Sequence, residues 1–233
     1  MRVATGSKIL DKMLGGGYET DVVNTIYGPA GSGKTVLAML CCLGIARSGK
    51  KVVYIDTENS FSVERLKQIA PDYEKILSNM VFLKPVNFSE QKTSFEKLRN
   101  LVNDKIGLIV VDTIAMLYRI ELGQKASEFY DINSSLGKQI SYLSEIARKK
   151  NIPILITNQV YADFEKKGQV KLVGGDILKY GSKCLIELQI TPQNNRRAIL
   201  KKHRSIAQEK SIYFKIVEGG VIGTKEEKGF KLF

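Results

Sequence analysis

Histidine and cysteine are scarce in this sequence, and their scarcity argues against several kinds of catalytic and metal site. The 233 residues include one histidine, His203, which argues against a histidine-based catalytic triad and a metal site with several histidine ligands. Cys41 and Cys42 are adjacent in an apolar stretch and Cys184 stands alone, a spacing that fits neither a disulfide framework nor a zinc site. We therefore expect the three cysteines to be small, buried, apolar side chains.

Long apolar runs are also missing. No run approaches the roughly 18 residues that a membrane-crossing helix needs, and residues 1–10 lack the apolar segment of a secretory signal. We therefore expect a cytoplasmic protein without membrane contact. The chain has no internal repeat or linker-like segment, and domains run roughly 100 to 200 residues, so we expect a single domain over residues 1–233.

Acidic residues are outnumbered, and the imbalance is uneven along the chain. The 36 lysines and arginines against 24 aspartates and glutamates give a net charge of +12. Residues 138–233 hold 19 basic and nine acidic side chains, a net charge of +10, whereas residues 1–137 have a net charge of +2. A cationic second half attracts polyanions such as nucleic acid. The alternative is a solvated basic surface without a partner.

Short runs rich in valine and isoleucine alternate with longer helix-like segments, which is typical of repeated βαβ units around a mainly parallel sheet. The predicted strands are Val22–Tyr27, Lys51–Asp56, Met80–Leu83, Leu108–Asp112 and Ile154–Thr157. The predicted helices are Lys34–Ser48, Ser62–Ala70, Ser89–Asn103 and Asp131–Lys150. Residues 183–190 and 198–203 alternate like half-buried strands around a turn. The predicted fold is α/β, with a twisted, mainly parallel sheet flanked by helices and an antiparallel C-terminal extension.

Residues 28–35 match the phosphate-binding pattern G-x-x-x-x-G-K-[ST] in full, directly after a predicted strand and before a predicted helix. The residues of this P-loop are Gly28, Pro29, Ala30, Gly31, Ser32, Gly33, Lys34 and Thr35. Backbone N–H groups of such a loop point at phosphate oxygens. Lys34 would contact the β- and γ-phosphates, and the Thr35 hydroxyl would bind Mg²⁺. The pattern predicts ATP and Mg²⁺ as ligands; the alternative is a glycine-rich turn with a surface lysine.

Polar residues follow three other predicted strands, at the sheet edge where the phosphates would lie. Asp112 ends an apolar strand and is predicted to be the second Mg²⁺ contact, unless it only caps the next turn. Glu58 is predicted to orient and deprotonate the attacking water, although Asp56 or Glu58 could instead cap a helix. Gln159 is predicted to hydrogen-bond the γ-phosphate and the loop that follows it; the alternative is a plain polar strand end. Lys34, Glu58 and Gln159 are thus the predicted catalytic residues.

These segments, in this order, resemble the RecA/RadA recombinase family, and within it most closely the archaeal paralogues of RadA. The matching segments are Thr5-Gly6-Ser7 through Gly15-Gly16-Gly17, Tyr54-Ile55-Asp56-Thr57-Glu58, Asp112-Thr113 with Leu117-Tyr118-Arg119, Ile156-Thr157-Asn158-Gln159-Val160, and Gly174-Gly175. The resemblance covers nearly the whole chain. It implies a RecA-like P-loop NTPase core.

The resemblance also implies two DNA-facing loops, at about residues 120–130 and 161–173. The second contains Lys166, Lys167 and Lys171 with Tyr161 and Phe164, a mixture suited to phosphate contact and base stacking. Gly174 and Gly175 continue this predicted DNA-binding segment, and single-stranded DNA is the expected partner. The resemblance also implies that Gln159 couples the presence of ATP or ADP at the P-loop to the conformation of this loop. The alternative is a mobile, solvated loop.

Lys202-His203-Arg204 resembles the Lys-x-Arg element that RecA-like ATPases, including KaiC, direct at the γ-phosphate of a neighbouring subunit. Lys202 and Arg204 would then act in trans in a homo-oligomer, as an arginine finger does. The alternative is a basic strand end.

The sequence departs from a full recombinase in three respects. Nothing before Thr5 corresponds to the N-terminal DNA-binding domain of RadA, no phenylalanine begins a Phe-x-x-Ala docking motif, and both predicted DNA loops differ from the RadA pattern. We therefore expect an accessory factor or mediator of recombination and DNA repair, with RadA as partner and weak, DNA-modulated ATPase activity. Two alternatives are a KaiC-like signalling ATPase and an adaptor that binds ATP without hydrolysing it.

Overall fold

Strands and helices alternate through most of the computed structural model, which describes residues 1–162 and 170–225. The strands are β1 (Arg2–Val3), β2 (Tyr18–Glu19), β3 (Val23–Tyr27), β4 (Lys51–Asp56), β5 (Met80–Leu83), β6 (Ile106–Asp112), β7 (Ile154–Asn158), β8 (Val160–Ala162), β9 (Val170–Leu172), β10 (Cys184–Ile190), β11 (Arg196–His203), β12 (Ser211–Val217) and β13 (Gly220–Thr224). The α-helices are α1 (Lys8–Met13), α2 (Lys34–Arg47), α3 (Val63–Ile69), α4 (Tyr73–Leu77), α5 (Phe88–Leu101), α6 (Met116–Gln124), α7 (Phe129–Lys150) and α8 (Gly175–Gly181).

The main sheet has the strand order β13-β12-β11-β10-β3-β7-β6-β4-β5. Neighbouring strands are parallel from β10 to β5 and antiparallel from β13 to β10. The α/β fold predicted from the sequence is therefore confirmed, including its antiparallel C-terminal extension. The predicted strands Lys51–Asp56 and Met80–Leu83 agree with β4 and β5 at both ends.

Helices cover both faces of the parallel strands, which is why those strands are apolar at nearly every position. On β6, Leu108 and Val110 belong to the core cluster that includes α2. Ile109 and Val111 belong to the cluster on the other face, with α5 and α7. Side chains alternate between the two faces of a strand, so both sets are buried.

Helix α7 packs on the sheet through one apolar stripe, as its sequence periodicity predicts. Leu136, Ile140, Leu143 and Ala147 are buried. The helix ends at Asn151, which has a left-handed backbone with φ of 51°. Among the described residues, no helix combines the length and apolarity needed to cross a membrane.

The prediction of a loop at residues 120–130 is wrong, because the structure is helical over most of this range; that these residues face DNA stays a prediction. Helix α6 extends to Gln124, a short 3-10 helix follows, and α7 begins at Phe129. Leu117 and Tyr118 bury one face of α6, and Lys125 forms an ion pair with Glu121 four residues earlier. The buried apolar face and the ion pair at a spacing of four residues both stabilise a helix. They outweigh the loop that the family resemblance implies.

The carboxyl ends of the parallel strands meet at one edge of the sheet, and this edge positions the candidate site. Asp56 at the end of β4 is paired in register with Asp112 at the end of β6. Tyr27 at the end of β3 is paired with Asn158 at the end of β7. Side chains that follow four different strands are thereby brought together.

Candidate functional site

The P-loop, residues 28–35, connects β3 to α2 and curls tightly at two glycines that cannot be replaced without strain. Gly33 has a left-handed backbone with φ of 100° at the N-cap of α2, a conformation that favours glycine. At Gly28 an added Cβ would lie 2.5 Å from the carbonyl oxygen of Leu188. The positive end of the 14-residue helix α2 therefore opens directly onto this loop.

Lys34 is buried inside the loop that it belongs to. Its Nζ donates to the carbonyl oxygens of Gly28 at 3.0 Å and Pro29 at 2.9 Å. Burial lowers the pKa of Lys34, while the nearby carboxylates of Asp112 and Glu58 act in the opposite direction. The two carbonyl groups offer the Lys34 ammonium group only partial negative charge. A phosphate bound in the loop would offer it a full one.

Asp112 receives hydrogen bonds from four hydroxyl groups, three in helices or strands and one in the connection after β4. Its Oδ2 accepts from Thr35 Oγ1 at 2.8 Å, from Tyr54 OH at 2.7 Å and from Ser60 Oγ at 2.9 Å. Thr157 Oγ1 donates to Oδ1. Because Thr35 uses its hydrogen on Asp112, the lone pairs of its oxygen remain able to bind a cation.

The residues present fit a nucleotide with Mg²⁺. The Ser32 hydroxyl is fully buried and has no hydrogen-bond partner within the described residues, which suits a group awaiting a phosphate oxygen. The described chain contains no cluster of three metal-binding side chains. A cation beside Thr35 and Asp112 would therefore take its remaining ligands from phosphate and water, as Mg²⁺ commonly does.

A cavity of about 310 Å³ opens at this point. It is lined by Ala30, Gly31, Gly33, Lys34, Thr35, Val36, Glu58, Ser60, Asp112, Thr113, Gln159 and Ile216. A larger groove of about 830 Å³ lies between α7 and α8, away from the P-loop. The smaller cavity is the better candidate site, because it joins a phosphate-binding loop to carboxylates and an amide.

Glu58, Thr113 and Gln159 form a hydrogen-bonded group beside the P-loop. Glu58 Oε1 accepts from Thr113 Oγ1 at 2.8 Å and from Gln159 Nε2 at 2.8 Å. All three predicted catalytic residues, Lys34, Glu58 and Gln159, therefore line one cavity. Neither Asp56 nor Glu58 caps the next helix, because Ser62 is the N-cap of α3; Asp56 instead closes the preceding turn by accepting from the backbone N–H groups of Ser60 and Phe61 at 2.9 and 3.1 Å.

Gln159 lies directly before the hairpin formed by β8 and β9. Its carbonyl oxygen accepts from Val173 N at 3.3 Å, and Asn158 Nδ2 donates to Val173 O at 2.7 Å. Both ends of the hairpin are thus attached to the edge of the candidate site. Tyr161 lies across from Lys171 in the hairpin register, and the Tyr161 side chain is 43% exposed.

Part of the second predicted DNA loop lies outside the described residues. Lys166 and Lys167 fall in that part, as does Phe164. Gly174 and Gly175 have left-handed backbones, with φ of 79° and 46°, where the hairpin leads into α8.

Lys202 and Arg204 lie at the opposite edge of the sheet from the P-loop, since His203 is paired with Cys184 at the beginning of β10. Lys202 Nζ donates to the carbonyl oxygen of Lys179. Arg204 forms ion pairs with Glu19 and Asp21 at 2.8 and 2.6 Å. Neither cation can reach the phosphate site of its own chain. Their predicted contact in trans stays a prediction.

Several residues at the site were not predicted from the sequence. Tyr54 lies inside an apolar strand, where nothing indicates that its hydroxyl reaches Asp112. Ser60 and Thr113 follow strand ends, as the predicted residues do, and that position is a signal that could have identified them. Arg196 Nε donates to Gly31 O at 3.1 Å from 165 positions along the chain, and no local pattern predicts such a contact.

Comparison with known proteins finds chains similar to this one over nearly its whole length. The Rad51 family model matches residues 1–224. The DNA repair and recombination protein RadB of Methanobrevibacter smithii is 41% identical over 228 residues, which are 95% of each chain. The RadB protein of Pyrococcus furiosus is 37% identical over 97% of each chain. A solved structure described as the crystal structure of the RadB recombinase superposes with a TM-score of 0.81 at 36% identity, over 96% of this chain and 100% of that one.

Proposed function

The chain belongs to the Rad51 family, and from this membership we propose that it is an ATP-binding, DNA-binding accessory protein of homologous recombination and DNA repair. The observation that carries the proposal is the convergence of Lys34, Thr35, Asp112 and Glu58 on one cavity. The RadB relatives are named DNA repair and recombination proteins, which supports the DNA-directed part of the proposal.

ATP is the proposed nucleotide and Mg²⁺ the proposed cation. Backbone N–H groups of the P-loop and the end of α2 would hold the phosphates, and Lys34 would neutralise charge between the β- and γ-phosphates. Thr35 would bind the cation directly, and Asp112 would be its second protein contact while also orienting Thr35. When bound, Mg²⁺ supplies charge neutralisation at the phosphate oxygens.

Glu58 is the proposed general base. Its Oε1 is engaged by Thr113 and Gln159, so the carboxylate is held in one orientation at the cavity wall. A base fixed in this way can orient a water molecule toward a γ-phosphate and accept its proton. Gln159 donates to Glu58 and would shift when a γ-phosphate is bound or lost. Because it directly precedes the hairpin β8–β9, that shift would move the hairpin.

The hairpin β8–β9 is the proposed DNA-binding element. An exposed aromatic side chain, Tyr161, lies across from Lys171, which suits base stacking beside a phosphate contact. The net charge of +10 over residues 138–233 favours association with a polyanion. Single-stranded DNA is the proposed substrate, because its unpaired bases are available for stacking.

We also propose that the main recombinase RadA is a protein partner and that hydrolysis is slow. A homo-oligomer would place Lys202 and Arg204 at a neighbouring nucleotide. Arg204 would first have to leave Glu19 and Asp21, with which it is paired.

A DNA titration at several salt concentrations tests the proposal. Fluorescence anisotropy of a labelled single strand should show affinity that falls steeply as salt rises, because each phosphate contact releases counterions. Lys171→Gln should reduce the slope of log affinity against log salt by about one, whereas Lys75→Gln, on the exposed surface of α4, should leave it unchanged. Absence of binding at low salt would favour a signalling ATPase instead. DNA binding without ATP hydrolysis in the presence or absence of DNA would favour the adaptor.

A further inference from the structure

Ser60 is the third residue whose hydroxyl group contacts Oδ2 of Asp112, the carboxylate at the proposed cation site. Its Oγ lies 2.9 Å from Asp112 Oδ2, the oxygen that also accepts from Thr35 and Tyr54. Tyr54 is fully buried in the core and does not line the cavity. Ser60 lines the cavity, as Thr35 does. Two of the three hydroxyl groups on this oxygen therefore face the space that a nucleotide would fill.

The turn after β4 is built so that Ser60 points into the cavity. Asn59 has a left-handed backbone with φ of 53°, a conformation that asparagine tolerates better than most residues. Asp56 then accepts the backbone N–H groups of Ser60 and Phe61 and closes the turn. The backbone position of Ser60 is thus fixed by these hydrogen bonds, and its hydroxyl lies 2.9 Å from Asp112 Oδ2 and 3.4 Å from Asp56 Oδ1.

The chemistry of Mg²⁺ indicates what this hydroxyl can do. Mg²⁺ demands octahedral coordination and usually keeps several of its water molecules. The residues that line the cavity offer Thr35 as a direct ligand and Asp112 as a carboxylate whose Oδ2 already accepts three hydrogen bonds. A serine oxygen that donates to Asp112 still has lone pairs with which to accept a hydrogen bond from water.

We propose that Ser60 is a positioning residue of the Mg²⁺ site: its hydroxyl donates to Asp112 and would accept a hydrogen bond from one water molecule bound to the cation. The proposal rests on the proposed binding of Mg²⁺ and ATP. Ser60 contributes to the affinity for the Mg²⁺-nucleotide complex and not to the affinity for the free nucleotide, because it lies beside the carboxylate and not in the P-loop.

The test is a titration of a fluorescent ATP analogue in EDTA and over a range of Mg²⁺ concentrations, with wild type and three variants. Ser60→Ala removes the hydroxyl, and Ser60→Thr restores it. Ser62→Ala is the matched control, since Ser62 lies in the same connection, caps α3 by accepting from Arg65 N at 3.1 Å and does not line the cavity.

Ser60→Ala should weaken binding in Mg²⁺ by about tenfold, the effect of losing one hydrogen bond to a charged centre. Its affinity in EDTA should equal that of wild type, and Ser60→Thr and Ser62→Ala should behave as wild type in both conditions. An unchanged Mg²⁺ dependence of Ser60→Ala, or an equal loss in EDTA, would overturn the role of Ser60 and leave nucleotide binding intact. Failure of the wild type to bind the analogue in either condition would overturn both this inference and the proposed function.

Discussion

At the scale of single residues, the proposed general base Glu58 is held in a geometry that a single substitution can test. Its carboxylate is fixed by Thr113 and Gln159 at 2.8 Å each and faces the cavity that holds the P-loop lysine. A glutamine at this position would keep an oxygen that can accept both hydrogen bonds but could not take a proton from water. Glu58 can therefore be tested without disturbing the geometry around it.

Glu58→Gln should lower the rate of ATP hydrolysis about a hundredfold or more, since positioned general bases contribute on the order of 100- to 10,000-fold. Nucleotide affinity should stay near the wild-type value. Phosphate release measures the first quantity and a fluorescent-nucleotide titration the second. Glu64→Gln, at an exposed ion pair with Lys67, is the matched control and should hydrolyse ATP as wild type does. An unchanged rate of ATP hydrolysis in Glu58→Gln would contradict the role of Glu58 as general base.

The three cysteines allow a pH-dependent prediction at the same scale. All are buried, and burial raises the pKa of Cys41 and of Cys184 from 9.0 to about 12. Because the folded pKa is higher than the unfolded one, the stabilisation is complete below pH 9 and is lost as the pH rises toward 12. Iodoacetamide should leave the native thiols unmodified at pH 8.5 and modify all three after unfolding. Rapid modification of native protein at pH 8.5 would contradict this burial.

The polar residues of the site could be predicted only in part from the sequence. Lys34, Thr35, Asp112, Glu58 and Gln159 were predicted because each belongs to a local pattern or follows an apolar strand. Tyr54 and Arg196 reach the site through tertiary contacts, and such contacts depend on strand order. Strand order brings β4 beside β6 and β11 near the P-loop, and no short pattern in the chain specifies it.

At the scale of elements, two glycines in neighbouring helices should respond to the same substitution in opposite directions. A Cβ at Gly181, the last residue of α8, would lie 2.2 Å from Ile140 Cγ2 on α7. Ile140 is buried and β-branched, so this methyl group has little room to move. A Cβ at Gly137, inside α7, would meet nothing within 4 Å.

Gly181→Ala should therefore lower the free energy of unfolding by about 1–3 kcal/mol through overpacking. Gly137→Ala should raise it by up to about 1 kcal/mol, because alanine favours a helix interior over glycine. Urea unfolding of both variants measures the two changes. Equal stabilisation by both substitutions would contradict the packing of α8 against α7.

Elements with strong periodicity were predicted well, and an element inferred from resemblance was not. Helix α7 and strands β4 and β5 follow directly from apolar spacing. Residues 120–130 were assigned to a loop by analogy with the family, although Leu117 and Tyr118 are available to bury a helical face. Local packing determines the conformation of residues 120–130. A resemblance in function does not predict local conformation.

At the scale of the whole molecule, the two ends of the parallel strands carry different chemistry. The carboxyl edge holds the P-loop, Asp112 and Glu58. The opposite edge holds Arg204 in its pairs with Glu19 and Asp21, and the Arg204 guanidinium lowers the pKa of Asp21. The homo-oligomer proposed above would bring these two edges together head to tail, with the nucleotide between subunits.

The most direct test of the account is thermal unfolding of wild type and Lys34→Ala with increasing Mg²⁺-ATP. Ligand that binds only the folded state stabilises it by about 2.7 kcal/mol at a hundred times its dissociation constant. The melting temperature of the wild type should rise with ATP concentration. Lys34→Ala should unfold cooperatively without nucleotide, as wild type does, and should gain little or nothing from ATP. A wild-type melting temperature that ATP does not change, or an equal rise in Lys34→Ala, would contradict the assignment of residues 28–35 as the nucleotide site.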